Sequence, residues 1–220
     1  MDGPASCLDQ DGSVITTVVD HPLAAQALTA LRDERTPRDG FRQAMNDLSG
    51  LLVYEATRSL RIETFEVQTP LVATTGIRVA EPPIVVPVLR AGLGLLHGVL
   101  RLLPDAPTGF IGVSRNEQTL QPEPYMNSVP ADLGGRDALV LDPMLATGGS
   151  LTHACGLLAQ RNPGRITCVC VLAAPEGVAR LSDSGLVDEL VVAALDDHLD
   201  ERAFIVPGLG DAGDRLYGTA

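Results

Sequence analysis

The chain has 220 residues, 45% of them hydrophobic and 20% charged, which suits one domain with a substantial core and argues against extensive disorder. A formal charge of −12 argues against broad attraction to nucleic acid, and all 16 basic residues are arginine, so an anionic ligand would have to be captured locally. With no apolar run long enough to span a membrane and no basic, apolar leader, a cytoplasmic protein without a membrane partner is expected.

In chain order, residues 1–11 match no pattern and read as a flexible extension. Apolar residues at helical spacing predict amphipathic helices over 23–31 and 41–60, parted near Pro37 and Gly40, which form an N-terminal layer. Alternation over 62–69 and 76–79 predicts strands with one wet face near the edge of the fold. From residue 84 onward the texture changes. Apolar runs at 84–89, 109–113, 138–141, 166–173 and 190–194 predict buried strands of a parallel sheet. Segments 91–103, 150–160 and 176–184 are the helices that cross over between them.

Residues 116–133, interrupted by Pro122, Pro124 and Pro130, predict a projecting arm or flap. Its Leu120, Tyr125, Met126 and Val129 could close on a ligand or pack on a second subunit. Residues 196–217, with Gly208, Gly210 and Gly213, predict a hood over the sheet. Four cysteines are too few and too irregular for a disulfide framework and lack zinc-ligand spacing, so they are read as buried apolar residues. Cys168-Val169-Cys170 is read as sending its two thiols to opposite sheet faces. His21, His97, His153 and His198 are scattered and are assigned structural roles.

The most informative segment is Leu139-Val140-Leu141-Asp142-Pro143-Met144-Leu145-Ala146-Thr147-Gly148-Gly149-Ser150, an apolar strand ending on a carboxylate, followed by a small-residue turn into a helix. The first turn of a helix carries unpaired N–H groups and partial positive charge, and Gly148 and Gly149 let an anion come close to the backbone. Thr147 and Ser150 add hydroxyls. No lysine follows, which removes the nucleoside-triphosphate reading of a glycine-rich loop. Asp142 is placed to meet ribose hydroxyls, so phosphate and sugar together point to a ribose phosphate. The plainer alternative is an ordinary strand-to-helix connection with Ser150 as N-cap.

The string from Asp142 to Ser150 resembles the ribose-phosphate loop of the uracil phosphoribosyltransferases, within the type I phosphoribosyltransferase superfamily. Three more blocks carry the same resemblance in the same order: Val86-Pro87-Val88-Leu89-Arg90-Ala91-Gly92-Leu93-Gly94, Arg115-Asn116-Glu117-Gln118-Thr119-Leu120, and Ile205-Val206-Pro207-Gly208-Leu209-Gly210-Asp211-Ala212-Gly213-Asp214. The resemblance runs from about His21 to Thr219. It implies an α/β fold with a parallel sheet flanked by helices, a projecting arm and a C-terminal hood, as a single domain in which residues 196–217 receive uracil.

The implied reaction converts uracil and 5-phosphoribosyl 1-diphosphate (PRPP) to UMP and diphosphate. The implied PRPP site is Arg90, Arg115, Asp142, Pro143, Met144, Leu145, Ala146, Thr147, Gly148, Gly149, Ser150 and Asp211. Ile205, Gly210, Asp211 and Ala212 would hold uracil, and Asp142, Asp211 and Arg115 would carry the chemistry. Magnesium would be the cofactor, held mainly by the diphosphate, with no direct protein ligand assigned. GTP is a candidate effector, and a homodimer or larger homo-oligomer is expected. The sequence departs from the family in Ala203-Phe204, where Gly-Tyr is usual. The competing reading is a non-catalytic regulator of the same fold that senses PRPP or uracil, and the competing substrates are orotate and purines.

Overall fold

The computed structural model describes residues 14–115 and 122–219. The chain opens with β1 (Ile15–Val18), then α1 (Pro22–Arg32) and α2 (Arg38–Ala56), then β2 (Ile62–Gln68) and β3 (Ala73–Val79). It continues through β4 (Ile84–Leu89), α3 (Leu93–Leu102), β5 (Ile111–Arg115), β6 (Pro122–Asn127), β7 (Ala138–Leu141), β8 (Met144–Leu145) and α4 (Gly149–Ala159). The last third holds β9 (Ile166–Ala173), α5 (Pro175–Asp183), β10 (Glu189–Leu195), β11 (His198–Leu199), β12 (Ile205–Val206) and α6 (Ala212–Tyr217).

One sheet organises the molecule, in the order β1-β10-β9-β7-β4-β5-β6, with β8 continuing beside the end of β9. All its pairings are parallel except β5 with β6. The central strands are buried on both faces, which is why they read as unbroken apolar runs. Their side chains divide by parity. Val85, Leu139, Leu141, Val169, Val171 and Val191 join α1, α2, α3 and α6 in one core. Ile84, Val86, Val88, Val140, Cys168, Cys170, Leu190 and Val192 join α4 and α5 in the other. Two helical layers therefore sandwich the sheet, and the strand ends between them are left for a site.

The N-terminal helices are built as their sequence dictates. The α1 helix starts on Pro22, and His21 caps it, its Nδ1 accepting the Leu23 N–H at 3.1 Å. The α2 helix buries Phe41, Ala44, Met45, Leu48, Leu52, Val53 and Ala56 at three- and four-residue spacing. It stops at Ala56 rather than running to residue 60, as the Thr57 hydroxyl bonds back to the Val53 carbonyl and the chain turns.

Four expectations change. First, β2 and β3 form a two-stranded sheet of their own, and Ile62, Phe65 and Ile77 are exposed, so this hairpin is the projecting element. Second, the proline-rich segment returns to the sheet: β6 pairs antiparallel with β5 at the edge, where Pro122 and Pro124 are tolerated. Val129 and Leu133 are core residues, and Arg161, just past α4, donates to the Val129 carbonyl at 2.6 Å. Leu120 lies outside the described residues, and Tyr125 and Met126 are exposed. Third, Cys168 and Cys170 share one face, as strand residues two apart must, with the Cys155 and Cys168 sulfurs 3.6 Å apart. Fourth, the edge strand β1 was not expected at all.

Candidate active site

The parallel strands deliver the loop after β7 to the open end of the sheet. Asp142 leaves β7 with its N–H on the Val169 carbonyl, and the Pro143 carbonyl accepts the N–H groups of both Val171 and Leu172. Met144 and Leu145 then run beside Leu172 and Ala173 as β8. The loop is thus laced to a fully buried strand before it turns. Gly148 makes that turn at φ +74°, and α4 begins at Gly149 with no side-chain cap. Ser150 therefore sits inside the helix, so the reading in which it is an N-cap does not hold.

Among the described residues, the N–H groups of Thr147, Gly148, Gly149, Ser150 and Leu151 have no acceptor, and the hydroxyls of Thr147 and Ser150 are unpaired. Five unpaired N–H donors at a positive helix end suit an anion. Glycine is required here. A Cβ on Gly148 would lie 3.1 Å from the Gly177 carbonyl oxygen, in a backbone conformation that side chains resist. Sequence reading passed over the second wall of this turn, formed by α5. Gly177 lets α5 abut the Ala146 carbonyl, and Arg180 lies alongside Gly148 and Gly149 with no ion pair among the described residues.

A cavity of about 260 Å³ opens on this loop, lined by Val88, Leu89, Arg90, Ala91, Asp142 and residues 144–151. Arg90 is exposed, follows a cis peptide bond from Leu89, and has no ion-pair partner among the described residues. Pro143 is buried beneath the cavity and acts through its backbone. Arg115 ends β5, and its side chain lies outside the described residues, as do residues 116–121. Asp142 keeps partial access to the cavity, but desolvation dominates its surroundings, and one weak bond from the Met144 N–H offsets little of it. Burial pushes its carboxyl up to about 7.

A second cavity, about 270 Å³, lies under the C-terminal segment and is lined by Ala203, Phe204, Ile205, Gly210, Asp211, Ala212 and Gly213. It shares Ala91, Asp142, Met144 and Ala146 with the first. One Asp211 oxygen caps α6 by accepting the Asp214 N–H at 2.9 Å. A third and larger cavity, about 680 Å³ between α1, α2 and α3, has mostly apolar walls. Tyr54 lines that cavity.

The paired cavities coincide with a close family match. The family model "Uracil phosphoribosyltransferase" matches residues 18–219. The chain belongs to the uracil phosphoribosyltransferase family. The uracil phosphoribosyltransferase of Corynebacterium diphtheriae is 56% identical over 91% of this chain and 95% of its own length. That of Cutibacterium acnes is 54% identical over 92% and 98%. Among solved structures, the AQ2163 protein of Aquifex aeolicus aligns with a TM-score of 0.87 and 37% identity, over 94% of this chain and 99% of that one. A hypoxanthine phosphoribosyltransferase from Staphylococcus aureus, 14% identical with a TM-score of 0.50, shares the fold over 76% of this chain and 85% of its own. The α/β phosphoribosyltransferase fold, with its parallel sheet and flanking helices, is thus established for this chain.

Proposed function

We propose that the chain is a pyrimidine-salvage enzyme, a uracil phosphoribosyltransferase that converts uracil and PRPP to UMP and diphosphate. The observation that carries this reading is the common wall of the two cavities: an anion receptor and a glycine-rich pocket meet across Asp142 and Met144. A sugar that spans this wall with its 5-phosphate on the α4 N-terminus would present its anomeric carbon to a base in the second pocket.

In this reading the N–H groups from Thr147 to Ser150 and their hydroxyls bind the 5-phosphate, and Arg90 and Arg115 take the diphosphate. The backbone of Gly210 and Ala212, with Ile205 beneath, meets the amide-like edge of uracil. Cytosine would present a reversed donor and acceptor there. The uracil ring nitrogen bonds to the anomeric carbon as the carbon–oxygen bond to diphosphate breaks, and no protein nucleophile takes part. Asp142 and Asp211 favour the cationic sugar of the transition state, where alignment and fixed charge supply most of the rate.

Magnesium is the cofactor of this reading. Among the described residues no three metal-ligating side chains converge, and two carboxylates beside a phosphate receptor suit a hard cation carried mainly by phosphate oxygens. When bound, the ion would neutralise charge on the departing diphosphate.

Orotate suits the pocket less well, because Arg215 is committed to three backbone carbonyls and Arg202 lies over the Phe204 ring. No observation favours the non-catalytic regulator. The exposed Ile62, Phe65, Leu71, Val72 and Ile77 of the β2–β3 hairpin support a homodimer or larger assembly, which sedimentation at several concentrations would test. No described helix is long and apolar enough to cross a membrane, and a cytoplasmic enzyme is part of the proposal. GTP as effector rests on family resemblance alone. The deciding experiment incubates the protein with PRPP, magnesium and each base in turn. UMP and diphosphate from uracil alone are expected, and turnover of orotate or a purine, or of nothing, would overturn the reading.

A further inference from the structure

In the proposed reading uracil meets the backbone of Gly210 and Ala212, so whatever holds residues 207–212 rigid helps set the selectivity of the pocket. Two guanidinium groups do so, and both reach the same turn at the end of α1. Asp196, only 6% exposed, follows β10 and is anchored by its N–H on the Ala173 carbonyl. Arg32 grips its carboxylate with both terminal nitrogens, at 2.8 and 2.5 Å. The same pair closes on Gly208 from both sides: Arg32 donates to the Gly208 carbonyl and Asp196 accepts the Gly208 N–H, each at 2.8 Å.

Arg215 holds the next residue. It donates to the Leu209 carbonyl at 2.9 Å and to the Leu31 and Asp33 carbonyls that flank Arg32, and it lies 4.3 Å above the Phe41 ring. Gly208 sits at φ +64° and Gly210 at φ +79°, so this stretch has conformational freedom that side chains do not restrict. Bidentate arginine–carboxylate pairs fix direction as well as distance.

We propose that Arg32 and Asp196 are positioning residues for uracil, clamping Gly208 so that the N–H and carbonyl groups of Gly210 to Ala212 face the base in one register. This rests on the reading that residues 205–212 receive uracil. Neither residue lines the base cavity, so both act through the loop. The N-terminal helix α1 is thereby part of base recognition, although it contributes nothing to the phosphate receptor.

The test measures KM for uracil and for PRPP separately, with kcat, in Arg32→Met, Arg32→Lys and Asp196→Asn. The clamp closes on Gly208, whereas Asp211 is held separately by capping α6, so loosening the clamp should weaken uracil binding far more than PRPP binding. Arg32→Met is expected to raise uracil KM roughly tenfold, the effect of about one lost hydrogen bond, with a much smaller change in PRPP KM. Arg32→Lys, which keeps the charge and one donor, should recover much of that loss. Asp196→Asn keeps an acceptor for Gly208, is nearly isosteric, and carries the test if Arg32→Met does not fold; it should raise uracil KM selectively.

A purely structural pair would lower the melting temperature while leaving the two KM values in their original ratio, and that result would overturn the proposal. Ala212→Val, inside the cavity, separates the two layers of inference. If it leaves uracil KM unchanged, the base-site reading fails and the clamp fails with it. If it raises uracil KM while the Arg32 and Asp196 variants do not, only the clamp is lost.

Discussion

Asp142 binds its proton more tightly in the folded chain than an ordinary aspartate does, and this has a measurable consequence for stability. Burial raises its carboxyl from 3.8 to about 7. Between those values the folded state holds a proton that the unfolded state has released, so this site loses stability as pH rises and the loss is complete above the folded value. At about 1.4 kcal/mol per tenfold change, the full effect is about 4 kcal/mol, an upper figure because Asp142 retains some contact with water. An asparagine in its place would mimic the neutral form at every pH. The Asp142→Asn variant should therefore be more stable than the native chain by about 2 kcal/mol at pH 5 and about 4 kcal/mol above pH 8. Paired denaturant titrations of the two proteins at pH 5.0, 6.5 and 8.5 read this directly, because other titrating groups cancel in the difference. The same substitution should remove most transferase activity, so stability and function would move in opposite directions. A difference between the two proteins that does not vary with pH would refute the argument, since no buried carboxyl of raised pKa could then be present.

Other substitutions probe the frame of the site. A Cβ on Gly92 would lie 2.4 Å from the Leu141 carbonyl oxygen and 2.6 Å from that of Val88, both rigid backbone, so Gly92→Ala should cost about 1–3 kcal/mol in chemical denaturation. Ala203 stands at φ +62°, a conformation that favours glycine, and Ala203→Gly should raise stability by up to about 1 kcal/mol, read as a higher melting temperature. Asp211→Asn keeps an oxygen to cap α6 whereas Asp211→Ala does not. The Ala variant alone should lose about 1 kcal/mol of stability, while both should lose most activity if the charge serves the sugar cation. Arg115→Ala should raise KM for PRPP strongly with no change in melting temperature; unchanged kinetics would remove Arg115 from the site.

What the sequence could disclose follows from which interactions leave a local trace. Strands β4, β7 and β9 are legible to the residue because burial on both faces forces an apolar run, and only the flanking turns interrupt it. The loop after β7 is legible because its turn into an uncapped helix takes a positive φ at Gly148, which favours glycine. The β2–β3 hairpin is misread because alternation reports that one face carries apolar side chains, not that this chain's own core covers them. The error at Cys168 and Cys170 was one of periodicity, which a strand fixes at two. Edge strand β1 has only Ile15, Thr16, Thr17 and Val18, too short a pattern to stand out from a loop.

The arginines make the sharper case. Arg90 and Arg115 announce themselves by standing in motifs at strand ends, and Arg90 has no ion-pair partner among the described residues. Arg32 and Arg215 carry no motif of their own: Arg32 reaches Asp196 and Gly208, 164 and 176 residues away, and Arg215 ties nearby Leu209 to carbonyls more than 180 residues away along the chain. A residue that touches a ligand is constrained by the ligand and so sits in a recognisable string. A residue that holds such a string in place is constrained by distant backbone, and only the folded chain brings the two together. On the proposed reading, the glycines of the 205–212 loop make this division necessary. Backbone recognition of a flat base requires a loop free of side chains, such a loop cannot fix its own shape, and the rigidity must be supplied from the helices it packs against.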